Sequence, residues 1–133
     1  AYSSDFSNQE FSDTNLRYLR YAEVLLMKAE ALNELGQTSL AIPLLNEVRL
    51  RANLGETPAL LQNDVRTAIW KERRVEMAFE HDRWFDLIRT GQAKDAMALD
   101  GKTFIVGKHE LFPIPTTFLR EAGTLSEQNP GGY

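Results

Sequence analysis

A chain of 133 residues, 43% hydrophobic and 26% charged, has the size and composition of one soluble globular domain. Its net charge of -4, from 15 basic against 19 acidic residues, comes with no basic block and no RNA-binding aromatic motif, which excludes nucleic acid as a partner. With no cysteine there is no disulfide, thiolate metal site or cysteine nucleophile, and no apolar run approaches the roughly 18–20 residues needed to span a bilayer.

Residues 1–13 are polar with scattered aromatics and show no period. They read as an extended lead-in, the stub of something longer, without the charged and apolar regions of a signal peptide. Residues 14–91 carry helical periodicity. From Asn15 to Leu35 one stripe is Tyr18, Ala22, Leu25, Ala29 and Leu32, and a second is Tyr21, Val24, Met27, Ala31 and Leu35. Two stripes predict a helix packed between two neighbours. Thr14 or Asn15 can cap its start, and Gly36 supplies the left-handed residue that ends it. A second helix is expected from Thr38 or Ser39 to about Ala52, with Leu40, Ala41, Leu44, Leu45 and Val48 inside and Pro43 near its first turn. The short turn between the two makes them antiparallel.

Ala29, Leu32, Ala41, Leu45 and Val48 fall at the packing positions of a tetratricopeptide repeat, but no second copy follows at the period of about 34 residues. One repeat-like hairpin lacks the neighbours that bury its faces, which points to a truncated chain. Asn53 is suited to the left-handed turn after the second helix. Asn63 or Asp64 then caps a third helix expected to reach Glu80 or His81, with Val65, Ala68, Ile69, Val75 and Phe79 on its inner face. Arg83 to Arg89 form a further short helix closed by Gly91.

Residues 92–133 read as irregular, with short strand or helical turns. Ala93 to Leu99 fits a helical turn, Asp100-Gly101-Lys102 is a turn, and Thr103 to Val106 fits a short strand. Phe112-Pro113-Ile114-Pro115 cannot be a central strand, because each proline removes a donor. It is expected to run extended with its apolar side chains as anchors. The fold class is mostly α: a tetratricopeptide-like hairpin plus further helices and an extended, irregular carboxy-terminal tail, in a single domain.

The densest chemistry lies between Glu72 and Gly91. Glu72 and Glu76 share the inner face of the third helix, and two carboxylates one turn apart cannot enter an apolar interior unpaired. Arg73, Arg74 and Arg83 are the nearby cations, with Arg17, Arg20, Arg49 and Arg51 available from earlier helices. A glycoside hydrolase needs two carboxylates flanking a bond, so Glu72 and Glu76 admit that reading. The surplus of arginines favours a structural network instead, built from Glu72, Arg73, Arg74, Glu76, Arg83, Trp84, Asp86 and Arg89, with both glutamates buried and Trp84 packed inward. His81 beside Glu80 and Asp82 resembles a fragment of a metal site, but His109 stands alone and no Glu-x-x-His pair exists, so no metal is expected. No nucleophile motif or phosphate loop occurs, and no cofactor or catalytic residue is assigned. Trp70, Trp84 and Tyr2, Tyr18, Tyr21 and Tyr133 suit sugar stacking only where exposed; most sit at core spacings.

The runs RYAEVLLMKAEALN (20–33), LNEVRLRA (45–52), ERRVEMAFE (72–80), RWFDLIRTG (83–91), FPIP (112–115) and QNPG (128–131) together resemble the carboxy-terminal region of the SusD/RagB family. The resemblance extends over nearly the whole chain from about Asn15. It departs at Asn53, where the family has glycine, at His81-Asp82, where a glycine-containing step is usual, and at the extra glycine before Tyr133. It implies a lipoprotein on the cell-surface side of the outer membrane, anchored only through an amino-terminal lipid outside this chain. Such a protein binds oligosaccharides or other nutrients with a SusC-type TonB-dependent transporter and is not an enzyme. No ligand-binding residue carries over, since the shared motifs look like scaffold. The rival reading is a stand-alone tetratricopeptide-like protein-interaction module.

Overall fold

The computed structural model describes residues 18–123 and 127–130. Among them are six helices and no strand: α1 (Tyr21–Glu34), α2 (Thr38–Arg51), α3 (Gln62–Glu76), α4 (Arg83–Arg89), α5 (Ala93–Leu99) and α6 (Thr116–Ala122). The chain divides into two compact units, Ala1–Met77 and Ala78–Tyr133.

In the first unit α1 and α2 form the antiparallel hairpin and α3 packs on both. The hairpin turn follows from residue chemistry. Gly36 at φ 76 allows its own amide to reach Asn33 O and the Gln37 amide to reach Leu32 O, which satisfies two carbonyls at the end of α1. Asn53 at φ 57 repeats the device after α2, with Asn53 N donating to Leu50 O and Leu54 N to Arg49 O. The core between the three helices is Leu25, Leu26, Ala29, Ala41, Leu45, Val48, Val65 and Ile69. Ala29 and Ala41 are both fully buried, and their small side chains let the hairpin helices approach closely.

Several expectations change here. Within the described residues α1 starts at Tyr21, because Arg20 is extended (φ -124, ψ 153); the caps proposed at Thr14 and Asn15 lie outside those residues. α1 buries one stripe, to which Leu26 belongs, while the other is bare: Tyr21 is 69% and Leu35 73% exposed. Tyr18 and Leu40 are likewise exposed instead of inside. The third helix stops at Glu76, four residues short of Glu80, because Phe79 and His81 both take left-handed φ values of 68 that an α-helix cannot contain. Phe79 therefore leaves the inner face and is fully exposed, and Val75, although still within α3, is 67% exposed and off the buried face. Met77 takes the buried position instead.

In the second unit Gly91 and Gly101 close α4 and α5 with the same pair of backbone bonds that closes α1. Thr103 to Val106 is not a strand. Ile105 O accepts the amides of Lys108 and His109, while the Ile105 amide donates to His109 Nδ1, so both backbone groups of Ile105 are used in a turn instead of a ladder. The Phe112–Pro115 run is extended, but Phe112 is 85% exposed and does not anchor it. Backbone groups hold it instead. Between the two prolines Ile114 has the one amide, which donates to Gln128 Oε1 at 2.7 Å, and Gln128 Nε2 returns a bond to Ile114 O at 2.9 Å. Asn129 Nδ2 donates to Phe112 O at 2.6 Å. The Gln128 side-chain amide thus replaces the strand partner that the prolines forbid.

Candidate functional site

α1 and α3 run antiparallel, and polar pairs span their seam in steps of about one or two turns. Arg66 Nε and Nη2 grip the two oxygens of Glu34, each at 2.6 Å. Trp70 Nε1 donates to Glu30 Oε1 at 3.1 Å. The Arg73 guanidinium, on a residue 5% exposed, lies 3.7 Å from the Glu23 carboxylate. Arg20 closes the row on Glu76.

The Arg66 fork holds the Glu34 carboxyl below its ordinary value of 4.5, against the opposing effect of burial. The hydrogen bond to Glu34 in turn raises the Arg66 value. A lowered folded value means that the pair stabilises above pH 4.5 and that this stability is lost as the pH falls through the folded value. Glu34→Gln is therefore expected to flatten the fall of the urea midpoint on the acid side of pH 4.5. An unchanged acid limb in the variant would show that the pair contributes nothing.

The most concentrated site is the end of the bundle where the start of α1 meets the last residues of α2 and α3. Glu76 is the last residue of α3, and its side chain is 8% exposed. Arg20 Nη1 donates to Glu76 Oε1 at 2.8 Å, and Arg51 Nη2, from the end of α2, donates to Glu76 Oε2 at 2.6 Å. Arg20 Nη2 also donates to the Glu76 carbonyl at 2.8 Å, a terminal acceptor of α3 that favours a cation. One turn further in, Glu72 Oε2 accepts from Arg49 Nη1 at 2.9 Å, and Arg49 Nε holds the α2–α3 loop through Gly55 O at 2.9 Å.

The partners of Glu72 and Glu76 thus come from α2 and from the residue preceding α1. Arg73 turns to Glu23, and Arg74 is exposed outside both clusters. In the second unit Arg89 Nε bonds Asp86 Oδ1 at 2.8 Å within α4, and Arg83 is half-buried. Trp84 is half-buried too, edge-on to Phe104 at 6.0 Å. Phe104 is in turn edge-on to His109 at 5.6 Å.

Beside the Glu76 cluster, between the start of α1 and the end of α2, is a partly open cavity of about 320 Å³. Its floor is Ala22, Leu25 and Val48, and its rim is Arg20, Tyr21, Glu47 and Arg51. Periodicity did not single out this rim, because it joins residues from the two ends of the hairpin. Among the described residues no group of three or more His, Asp or Glu side chains is placed to hold a metal.

The SusD family model matches residues 1–133. The chain belongs to the SusD family. SusD-like protein P2 of Formosa agariphila is 36% identical over 94% of this chain, and SusD-like protein P38 of the same organism is 42% identical over 64% of it. The chain spans 27% of the length of the first and 19% of the second, so it corresponds to a part of each. Among solved structures, a SusD-like protein from Bacteroides fragilis superposes with a TM-score of 0.78 at 27% identity, covering 90% of this chain and 26% of that one. Surface glycan-binding protein A from Bacteroides thetaiotaomicron gives 0.75 at 32% identity, covering 90% of this chain and 25% of its own. The family runs from the hairpin through α3 to the Gln128 clasp on Ile114, which joins two of the motifs that carry the resemblance.

Proposed function

We propose that this chain is the carboxy-terminal, scaffold-bearing portion of a SusD-like glycan-binding lipoprotein. On this reading it works at the cell-surface side of the outer membrane with a SusC-type TonB-dependent transporter in nutrient uptake. The observation that carries the reading is SusD family membership along the full chain, together with likeness to a protein named as a surface glycan-binding protein. Among the described residues no helix is long and apolar enough to cross a membrane; the amino-terminal lipid belongs to the reading through the family.

The role is binding and not catalysis. Both oxygens of Glu76 are held by guanidiniums, and Glu72 and Glu76 each have side chains only 8% exposed, so these two are not free to flank a scissile bond. Glu72, Arg73, Glu76, Asp86 and Arg89 then act as ion pairs that fix helix ends, and Trp84 as a packing residue. The bare stripe of α1, with Tyr21 and Leu35 exposed, favours a protein-interaction module as the second reading.

The two readings separate by experiment. Titration calorimetry of the full-length protein with a panel of oligosaccharides, and co-purification with the neighbouring transporter, are expected to give binding in both. A protein that bound a soluble protein partner and neither of these would overturn the first reading in favour of the second.

A further inference from the structure

We propose that the cavity between the start of α1 and the end of α2 is a subsite for one or two rings of a neutral sugar, with Tyr21 as the stacking face and Glu47 and Arg51 as the hydroxyl partners. The inference rests on the glycan-binding reading and gives it a place in this chain.

The starting point is a pair that does not form. Glu47 and Arg51 are four residues apart on α2, in the order that ordinarily makes a helix-surface ion pair. Arg51 instead donates through Nη2 to Glu76 Oε2 at 2.6 Å. Its Nε and Nη1 make no hydrogen bond among the described residues, and Glu47 has no hydrogen bond or ion pair there either. A carboxylate acceptor and part of a guanidinium donor are thereby left facing the same cavity. A vicinal diol satisfies both: one hydroxyl donates to Glu47 while its neighbour accepts from Arg51.

The guanidinium is also held in place before any ligand arrives. Glu76 fixes Arg51 and Arg20 side by side on its two oxygens, so little side-chain freedom remains to be lost on binding. Charge selects among sugars. At this end of the bundle the guanidiniums of Arg20 and Arg51 are matched by the carboxylates of Glu47 and Glu76, which gives no net attraction for a uronic acid or a sulfated ring.

Shape and surface agree with that class. Tyr21 lies on the rim and is 69% exposed in this chain, and an aromatic face suits the apolar face of a sugar. Ala22, Leu25 and Val48 make the floor apolar. A volume of about 320 Å³ is at the low end for small-molecule sites, room for one or two rings and not for a long chain.

The test compares the parent protein with Tyr21→Ala and Glu47→Ala, two exposed positions whose loss leaves the ion pairs and the core untouched. Saturation-transfer NMR and calorimetry are run with neutral di- and trisaccharides of glucose, galactose, mannose and xylose, and with a digalacturonide as the charged probe. The expected result is a neutral sugar bound by the parent and at least tenfold more weakly by each variant, with unchanged circular dichroism and melting. A neutral sugar bound equally by all three proteins overturns the subsite while the glycan-binding reading stands. Binding of the digalacturonide in preference to every neutral sugar overturns the assigned class. Failure of the parent to bind any of them counts against the glycan reading itself and removes this inference with it.

Discussion

Glu76→Ala is expected to lower the unfolding free energy by about 3 kcal/mol, near the lower end of what breaking a buried pair costs. The variant removes the carboxylate that two cations share, and with it a side chain that links the end of α3 to the end of α2 and to the residue preceding α1. The cost stays below the upper end because the two arginines differ in solvation: the Arg51 side chain is 62% exposed and turns to water, whereas Arg20 is 22% exposed and loses more. Arg51→Ala is accordingly expected to cost less than about 1 kcal/mol, as for a surface pair. The Arg20–Glu76 carbonyl bond survives in Glu76→Ala, so α3 should keep its terminal contact. Urea unfolding of both variants and of the double mutant measures the coupling. A Glu76→Ala midpoint within experimental scatter of the parent would show that the cluster is wet and contributes little.

The helical hairpin is readable from the chain because local rules and tertiary packing agree there. Ala29, Ala41, Leu45 and Val48 follow a helical period and are buried, and Gly36 and Asn53 stand where backbone geometry demands φ above zero. The pattern fails where a residue's environment is set by something other than its own helix. Phe79 keeps the α3 period, yet left-handed φ values at Phe79 itself and at His81 lie beyond the end of the helix, a backbone choice that hydrophobic spacing does not encode, while Val75 stays in α3 and is exposed. Thr103 to Val106 has strand composition but lacks a partner strand among the described residues, and composition cannot supply one. For the ion pairs, the face on which Glu72 and Glu76 lie follows from one helix. Which arginines meet them depends on contacts between residues 20, 49 and 51 and residues 72 and 76, long-range information absent from any local window. Asn33 does carry a signal in the sequence: it lies four residues after Ala29 and seven after Leu26, a polar residue on the buried stripe of α1.

Asn33 carries the second large effect. It is fully buried at the opposite end of the bundle from Glu76 and ties three helices with one side chain. Its Nδ2 donates to Gln62 O at 3.0 Å at the start of α3, and its Oδ1 accepts from Thr38 Oγ1 at 2.9 Å at the start of α2. Its own carbonyl accepts from Gln62 Nε2 at 2.6 Å. Asn33→Ala removes the side-chain bonds to Gln62 O and Thr38 Oγ1 and the longer one to Glu34 Oε1 at 3.5 Å, and leaves a small void, so a loss of about 2–4 kcal/mol is expected. Asn33→Asp separates the hydrogen bonds from the packing. It keeps the shape and the acceptor for Thr38, but at neutral pH it sets a carboxylate against the Gln62 carbonyl. Burial and that carbonyl both favour the protonated acid, so the new group's folded pKa lies above its unfolded one, and the variant's deficit should shrink as the pH falls and a donor to Gln62 O is restored. Chemical unfolding of the parent, Asn33→Ala and Asn33→Asp between neutral and mildly acidic pH reads this directly. A deficit in Asn33→Asp that is the same at every pH would mean that the Gln62 bond is not what the asparagine contributes.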